Sequence, residues 1–168
     1  KITKDFKFSR ENDLSVKSWR SLFDSVKGKC SKIHKDLPKL IEENLKDVEK
    51  NWPNDLPRGI IHADLFHDNI FFLQDKFSGI IDFYFSCEDF FAFEIAICFN
   101  ALCFDGLKEN LSFNVTKAKN FIDGYTSIRK LNDKEKNNIK VLSQGAALRF
   151  LLTRVFDALN TVEGAIVK

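Results

Sequence analysis

The feature that most constrains this chain is a change of hydrophobic period in its middle. Outside residues 59–83 apolar residues recur at helical steps of three and four, but within that stretch they fall in three short unbroken runs. Gly59-Ile-Ile-His62, Ile70-Phe-Phe-Leu73 and Gly79-Ile-Ile-Asp82-Phe83 each have the length of a buried strand. The last two are joined by the polar turn Gln74-Asp-Lys76 and lie close enough to pair as a hairpin, although no Asn-Gly or Asp-Gly marks the turn. The expected class is therefore α+β and mainly α, a helical chain with a small β element at its centre.

The flanks read as helices. Val16, Trp19, Leu22, Phe23 and Val26 share one helical face, with Gly28 placed to end it. Leu37, Leu40, Ile41, Leu45 and Val48 form a second face, stopped by Trp52-Pro53 and Leu56-Pro57 because the residue before proline is pushed out of the α region. After Asp89 the pattern is helical throughout. Phe91, Ile95, Cys98, Phe99 and Leu102 make one stripe, and Val115, Ala118, Phe121, Ile122 and Tyr125 another that ends near Gly124. The last, behind the cap Asn132-Asp133, runs through Ile139, Leu142, Ala146, Phe150, Leu151 and Val155. Lys1 to Arg10 reads as an irregular lead-in.

Composition removes several classes of function. With 26 basic and 24 acidic residues the formal charge is +2, which leaves no electrostatic footprint for nucleic acid or a membrane surface. No apolar run approaches the roughly 18–20 residues of a membrane span, and no signal peptide opens the chain. Cys30, Cys87, Cys98 and Cys103 form no C-x-x-C pair and read as buried reduced thiols, so the expected compartment is the cytoplasm. A chain that starts Lys-Ile-Thr and holds no Met is expected to be a fragment of a longer protein.

The polar residues with chemical meaning cluster on the β element. His62, Asp64, Asn69 and Asp82 all fall at strand ends or in the loop between strands. If the strands flanking Asp75 pair, Asn69 and Asp82 approach each other as two hard oxygen donors, a set that suits Mg²⁺ with water or phosphate in its remaining positions. Asp64 lies on the same loop, placed to face an incoming hydroxyl. Taken singly, each of these residues is equally a turn former, and His62 a satisfied core histidine. His34 reads as a surface residue on a charged helix, and the Phe-rich stretch Phe83 to Phe104 as core rather than a ligand box.

His62-Ala-Asp64-Leu-Phe-His-Asp-Asn69 resembles the kinase catalytic loop H-x-D-x-x-x-x-N, and Ile81-Asp82-Phe83 stands where kinases carry D-F-G. Ala63 in place of Arg, and no Lys after Asp64, make the loop similar to the aminoglycoside phosphotransferase and choline kinase superfamily of small-molecule kinases. Within it, Leu56 to Phe66, Asp68 to Leu73 and Ser78 to Phe85 resemble the bacterial homoserine kinase family, and Ile95 to Asp105 and Gly145 to Arg154 continue the likeness. The resemblance implies a protein-kinase-like C-terminal lobe over residues 1–168, whose small hairpin carries the catalytic loop. It implies ATP as phosphoryl donor, Mg²⁺ held by Asn69 and Asp82, and Asp64 as the base, with His62 bracing the loop. The acceptor it implies is the hydroxyl of L-homoserine, a step toward threonine.

Tyr84 and Glu88 are then candidates for the acceptor pocket. Arg149 and Arg154 are candidates for the substrate carboxylate, which suits the planar guanidinium fork. Five residues apart on a helix, these two point in different directions. Glu94 stands where the superfamily commonly has an Asp that supports the loop, and His67 where it commonly has Pro. Neither a Gly-rich loop nor a Lys-bearing strand precedes His62. The resemblance therefore implies an N-terminal nucleotide lobe outside this chain, and a fragment inactive without it. The alternatives are a sister kinase of choline, another amino alcohol or an aminoglycoside, and a non-catalytic kinase-like binding module.

Overall fold

A computed structural model describes residues 9–107 and 110–160. Five helices and six short strands follow in the order α1 (Val16–Val26), α2 (Leu37–Asn51), β1 (Arg58–Ile61), β2 (Ile70–Leu73), β3 (Lys76–Ile80), β4 (Cys87–Phe90), α3 (Phe91–Leu102), β5 (Phe104–Asp105), β6 (Ser112–Phe113), α4 (Val115–Ile128) and α5 (Asp133–Asn160). The class is α+β and mainly helical. Contacts divide the chain into two compact units, one of Pro53–Ser143 with the segment ending at Asn12, the other of Asp13–Trp52 with the chain from Gln144 onward.

The second of these units is helical. Trp19, Phe23 and Val26 of α1 and Ile41, Leu45 and Val48 of α2 are essentially sealed from water, each worth roughly 1.5–3 kcal/mol of burial. α1 stops at Val26, but the chain continues as a 3₁₀ turn over Lys27–Lys32 that passes straight through Gly28. Gly28 is thus not the terminator its position suggests. α2 ends where expected, with Trp52 extended ahead of Pro53. Its Leu40 is 51% exposed, outside the buried face. His34 sits in the turn before α2, exposed, rather than on a helix. On the outer face Arg20 bridges Glu42 and Glu49, and Lys27 and Arg20 hold the Glu42 carboxyl down at about 2. Pairs this exposed contribute little to stability.

In the first unit β2 and β3 form the expected hairpin, with Gln74 and Asp75 both in the left-handed region, as a two-residue turn of mirror type requires. The strands are not buried, however: Phe72, Leu73 and Phe77 are 62–70% exposed. No second layer among the described residues covers them. β1 pairs antiparallel with β4, from Arg58 opposite Phe90 to Ile61 opposite Cys87. β4 was unexpected because Cys-Glu-Asp-Phe carries two residues depleted in strands. α3 is buried nearly all round, at Ala92, Phe93, Ile95, Ala96, Ile97 and Cys98, rather than along one stripe. Between α3 and α4 the chain makes the β5–β6 ladder, so the region after Asp89 is not wholly helical.

α4 opens on Asn114, whose side chain accepts the Lys117 N–H. It runs through Gly124 to Ile128, and its Val115 is 71% exposed. α5 opens on a capping box: Asn132 Oδ1 accepts the Glu135 N–H at 2.8 Å and Glu135 Oε2 accepts the Asn132 N–H at 3.0 Å. Along α5 the buried positions are Leu142, Ala146, Leu148, Leu152 and Val155, so Leu148 and Leu152 replace Phe150 and Leu151 of the expected stripe.

Two helical glycines separate propensity from packing. A Cβ on Gly145 would stand 2.2 Å from Trp52 Cζ3 and 2.9 Å from Trp19 Cη2, whereas one on Gly124 meets nothing within 4 Å. Gly145→Ala is expected to cost about 1–3 kcal/mol as the two rings are forced apart. Gly124→Ala is expected to stabilise by about 0.5–1 kcal/mol. Urea unfolding of the two variants checks the opposite signs.

Candidate active site

The site begins where β1 ends. The chain leaves Ile61 through His62 and turns sharply at Ala63, whose φ of 64° is a left-handed conformation that a non-glycine residue adopts at a cost of order 1–3 kcal/mol. Ala63 is almost fully buried, and its N–H donates to Glu94 Oε2 at 2.8 Å from the first turn of α3. Glu94 therefore supports the loop although its side chain is one methylene longer than Asp. Burial and the neighbouring Glu94 charge push the Cys98 thiol well up.

His62 is 9% exposed and bonded on both ring nitrogens. Nε2 lies 2.9 Å from the Ile81 carbonyl, and Nδ1 accepts the Asp64 N–H at 3.3 Å. These partners assign the neutral tautomer with the proton on Nε2, donating to Ile81. The imidazole thus ties the loop carrying Asp64 to the residue before Asp82. The Phe83 ring packs on it at 4.8 Å between centroids.

Asn69 makes the second tie. Its Nδ2 donates to the Asp64 carbonyl at 2.8 Å, its N–H to the Phe66 carbonyl at 3.1 Å, and its own carbonyl accepts the Ile81 N–H at 3.1 Å. The Asp64 carbonyl also takes the Phe66 N–H at 3.0 Å. With its nitrogen committed, the Asn69 amide keeps Oδ1 as an acceptor. The β2–β3 register puts Ile70 opposite Ile80, so Asn69 faces Ile81 and Asp82 is the next residue along. Asp82 is itself left-handed, with φ 61° and ψ 60°, and begins a 3₁₀ turn over Phe83–Phe85. Asp82 is exposed.

His62, Asp64, Asn69 and Asp82 are thus joined by one set of hydrogen bonds that runs through Ile81. Among the described residues no group of three or more His, Cys, Asp or Glu side chains has metal-holding geometry. An amide oxygen and one carboxylate remain a fitting pair for a cation that completes its shell with phosphate and water, as Mg²⁺ does.

The other expected site residues lie elsewhere or serve other bonds. Tyr84 is 71% exposed, and its carbonyl accepts from Arg10 Nη1 at 2.5 Å. Glu88 accepts from Ser9 Oγ at 2.6 Å and pairs with Arg58 at 3.5 Å. Arg149 and Arg154 belong to the other unit, where both guanidiniums lie over the Phe150 ring, at 4.6 and 5.8 Å from its centroid. Arg149 is buried and Arg154 exposed, so the two do point apart. Two features escaped the sequence reading. Ala63 at positive φ has no signal in its residue type. The pairing of residues 9–12 with β4 is a long-range bridge from Glu11 to Glu88.

Residues 3–129 match the phosphotransferase enzyme family, and the chain belongs to that family. It is similar to the homoserine kinase of Rhodospirillum rubrum, 49% identical over 164 residues that cover 98% of this chain and 50% of that protein. The homoserine kinase of Mesorhizobium japonicum is 45% identical over 97% of this chain and 50% of its own length. That of Paramagnetospirillum magneticum is 49% identical over 98% and 51%. The chain spans about half the length of the curated relatives it matches. No helix among the described residues is long and apolar enough to cross a membrane.

The bond from Ala63 to Glu94 can be tested directly. Glu94→Ala leaves a buried N–H without its acceptor and is expected to cost about 1–3 kcal/mol. Glu94→Gln keeps an accepting oxygen and is expected to cost clearly less. Guanidinium unfolding of both variants compares them, and equal losses would remove Glu94 from this role.

Proposed function

We propose that the complete protein containing this chain is an ATP-dependent kinase that phosphorylates the hydroxyl of an amino-acid alcohol, L-homoserine. This chain then forms the kinase-like C-terminal lobe. The observation that carries the reading is the hydrogen-bonded tie from His62 and Asn69 to Ile81, which couples the H-x-D-x-x-x-x-N loop to the residue before Asp82. The similarity to homoserine kinases at 45–49% identity supports the choice of acceptor.

In this reading Asp64 takes the proton as the substrate oxygen forms its bond to the γ-phosphorus and the bond to the β,γ-bridging oxygen breaks, leaving ADP. Phosphoryl transfer relies on positioning and charge stabilisation, so an ordinary carboxylate held in place serves as the base. Asn69 Oδ1 and the Asp82 carboxylate are the groups that would hold Mg²⁺, which when bound neutralises phosphate charge. His62 acts on Asp64 by orienting the backbone, not on substrate.

Tyr84 and Glu88, on the segment after Asp82, are proposed to line the acceptor pocket. A guanidinium suits the substrate carboxylate, the role proposed for Arg149 or Arg154. The nucleotide-gripping lobe belongs to the part of the relatives' length that this chain does not span, so the isolated chain is expected to be inactive. The reaction would run in the cytoplasm and feed threonine synthesis, in keeping with four free, buried cysteines.

The test is turnover of the complete protein with ATP, Mg²⁺ and a panel of homoserine, choline and aminoglycosides. Homoserine is expected to be the preferred acceptor. Asp64→Asn is expected to lower kcat about 10²–10⁴-fold while nucleotide binding is retained. Turnover of another acceptor with homoserine untouched would overturn the substrate, and full activity of Asp64→Asn would overturn the mechanism.

A further inference from the structure

The turn that carries Asp82 is held on two sides. Before it, Ile81 is fixed through both backbone groups, by Asn69 and His62. After it the 3₁₀ turn closes on itself through the Ser86 N–H to the Phe83 carbonyl at 3.0 Å. The outward Tyr84 carbonyl is taken by Arg10, whose guanidinium also lies 5.8 Å from the Tyr84 ring centroid. Arg10 is thus hydrogen-bonded two residues past the proposed metal ligand, from a segment more than seventy positions away in sequence.

That segment is itself anchored. The Arg10 carbonyl accepts the Glu88 N–H at 2.7 Å, and Glu11 forms a parallel bridge with Glu88. Ser9 Oγ donates to Glu88 Oε2 at 2.6 Å and Asn12 Nδ2 to Asp89 Oδ2 at 2.6 Å. Residues 9–12 therefore lie along β4 as a strap. Three of its residues bond the strand, and Arg10 alone among these contacts reaches back to the turn. A guanidinium suits this task because its planar fork is fixed in geometry and always charged. A left-handed Asp followed by a tight turn needs an external restraint to hold one conformation.

We infer that Arg10 is a positioning residue for Asp82, and that the strap Ser9–Asn12 sets the metal side of the site. The inference rests on the reading of Asp82 as a metal ligand. Loss of an outer restraint on a ligand weakens metal binding about 10–100-fold, which a merely structural bond would not do. Asn12→Ala is the matched control, since it loosens the same strap without touching the turn.

The experiment uses the complete protein with a non-hydrolysable ATP analogue and Mn²⁺, with free Mn²⁺ read by electron paramagnetic resonance. Exchange of the Ser86 amide and thermal unfolding are measured alongside. Arg10→Ala is expected to weaken Mn²⁺ binding about 10-fold or more and to speed Ser86 exchange, with a melting temperature close to that of Asn12→Ala. Arg10→Lys is expected to recover part of the affinity, and it keeps the test open if the alanine variant does not fold. Asn12→Ala is expected to bind Mn²⁺ as the wild type does. Weak binding by Asp82→Asn together with wild-type binding by Arg10→Ala would overturn the inference alone. Equal weakening by Asn12→Ala would overturn it too. Unaltered binding by Asp82→Asn would overturn the underlying reading of the metal site, and the inference with it.

Discussion

Asn69 joins the two halves of the site. Its side-chain nitrogen holds the Asp64 carbonyl from within the loop, and its backbone carbonyl holds the Ile81 N–H across the hairpin. A single residue that is 8% exposed thus fixes the distance between the loop and the turn. The hydrogen bonds are buried on one side, where an unmade bond costs more than a made one contributes. His62 repeats the tie one step further along, from its ring to the Ile81 carbonyl. Loop and turn can therefore move only together.

Around this joint the chain accepts conformations that side chains avoid. Ala63 and Asp82 both stand at positive φ, at the two places where the site's acidic residues begin. Strain of this kind persists only where neighbours over-determine it. For Ala63 the neighbour is Glu94, on a helix buried nearly all round and so unable to shift. For Asp82 the restraint before the turn is Ile81 and the one after it comes through Arg10. The rigid layer below is the β1–β4 ladder, which feeds directly into α3.

Much of this was legible in the sequence because it depends on local pattern. The change of hydrophobic period located the hairpin, and the paired runs brought Asn69 next to Ile81 and Asp82. Trp52-Pro53 and Asn132-Asp133 marked helix ends through the chemistry of proline and of the cap. The failures share a cause, which is that the deciding partner is distant. Nothing in Cys87-Glu-Asp-Phe90 signals a strand, since its pairing comes from Arg58–Ile61 and from Glu11. Gly28 and Gly124 carry no positive φ and leave their helical stretches intact, so residue type alone misplaced two helix ends. Apolar strands were expected inside, yet Phe72, Leu73 and Phe77 are exposed, because burial depends on a covering layer that local pattern does not report.

The central claim is that Asn69 and Asp82 form one cation site beside Asp64. Crystals of the complete protein grown with Mn²⁺ and an ATP analogue, measured at the manganese absorption edge, address it most directly. The account predicts an anomalous peak bonded to Asn69 Oδ1 and the Asp82 carboxylate at oxygen–metal bonding distance, with Asp64 beside it but not ligating. A peak held by other side chains, with Asp82 turned away, would contradict it.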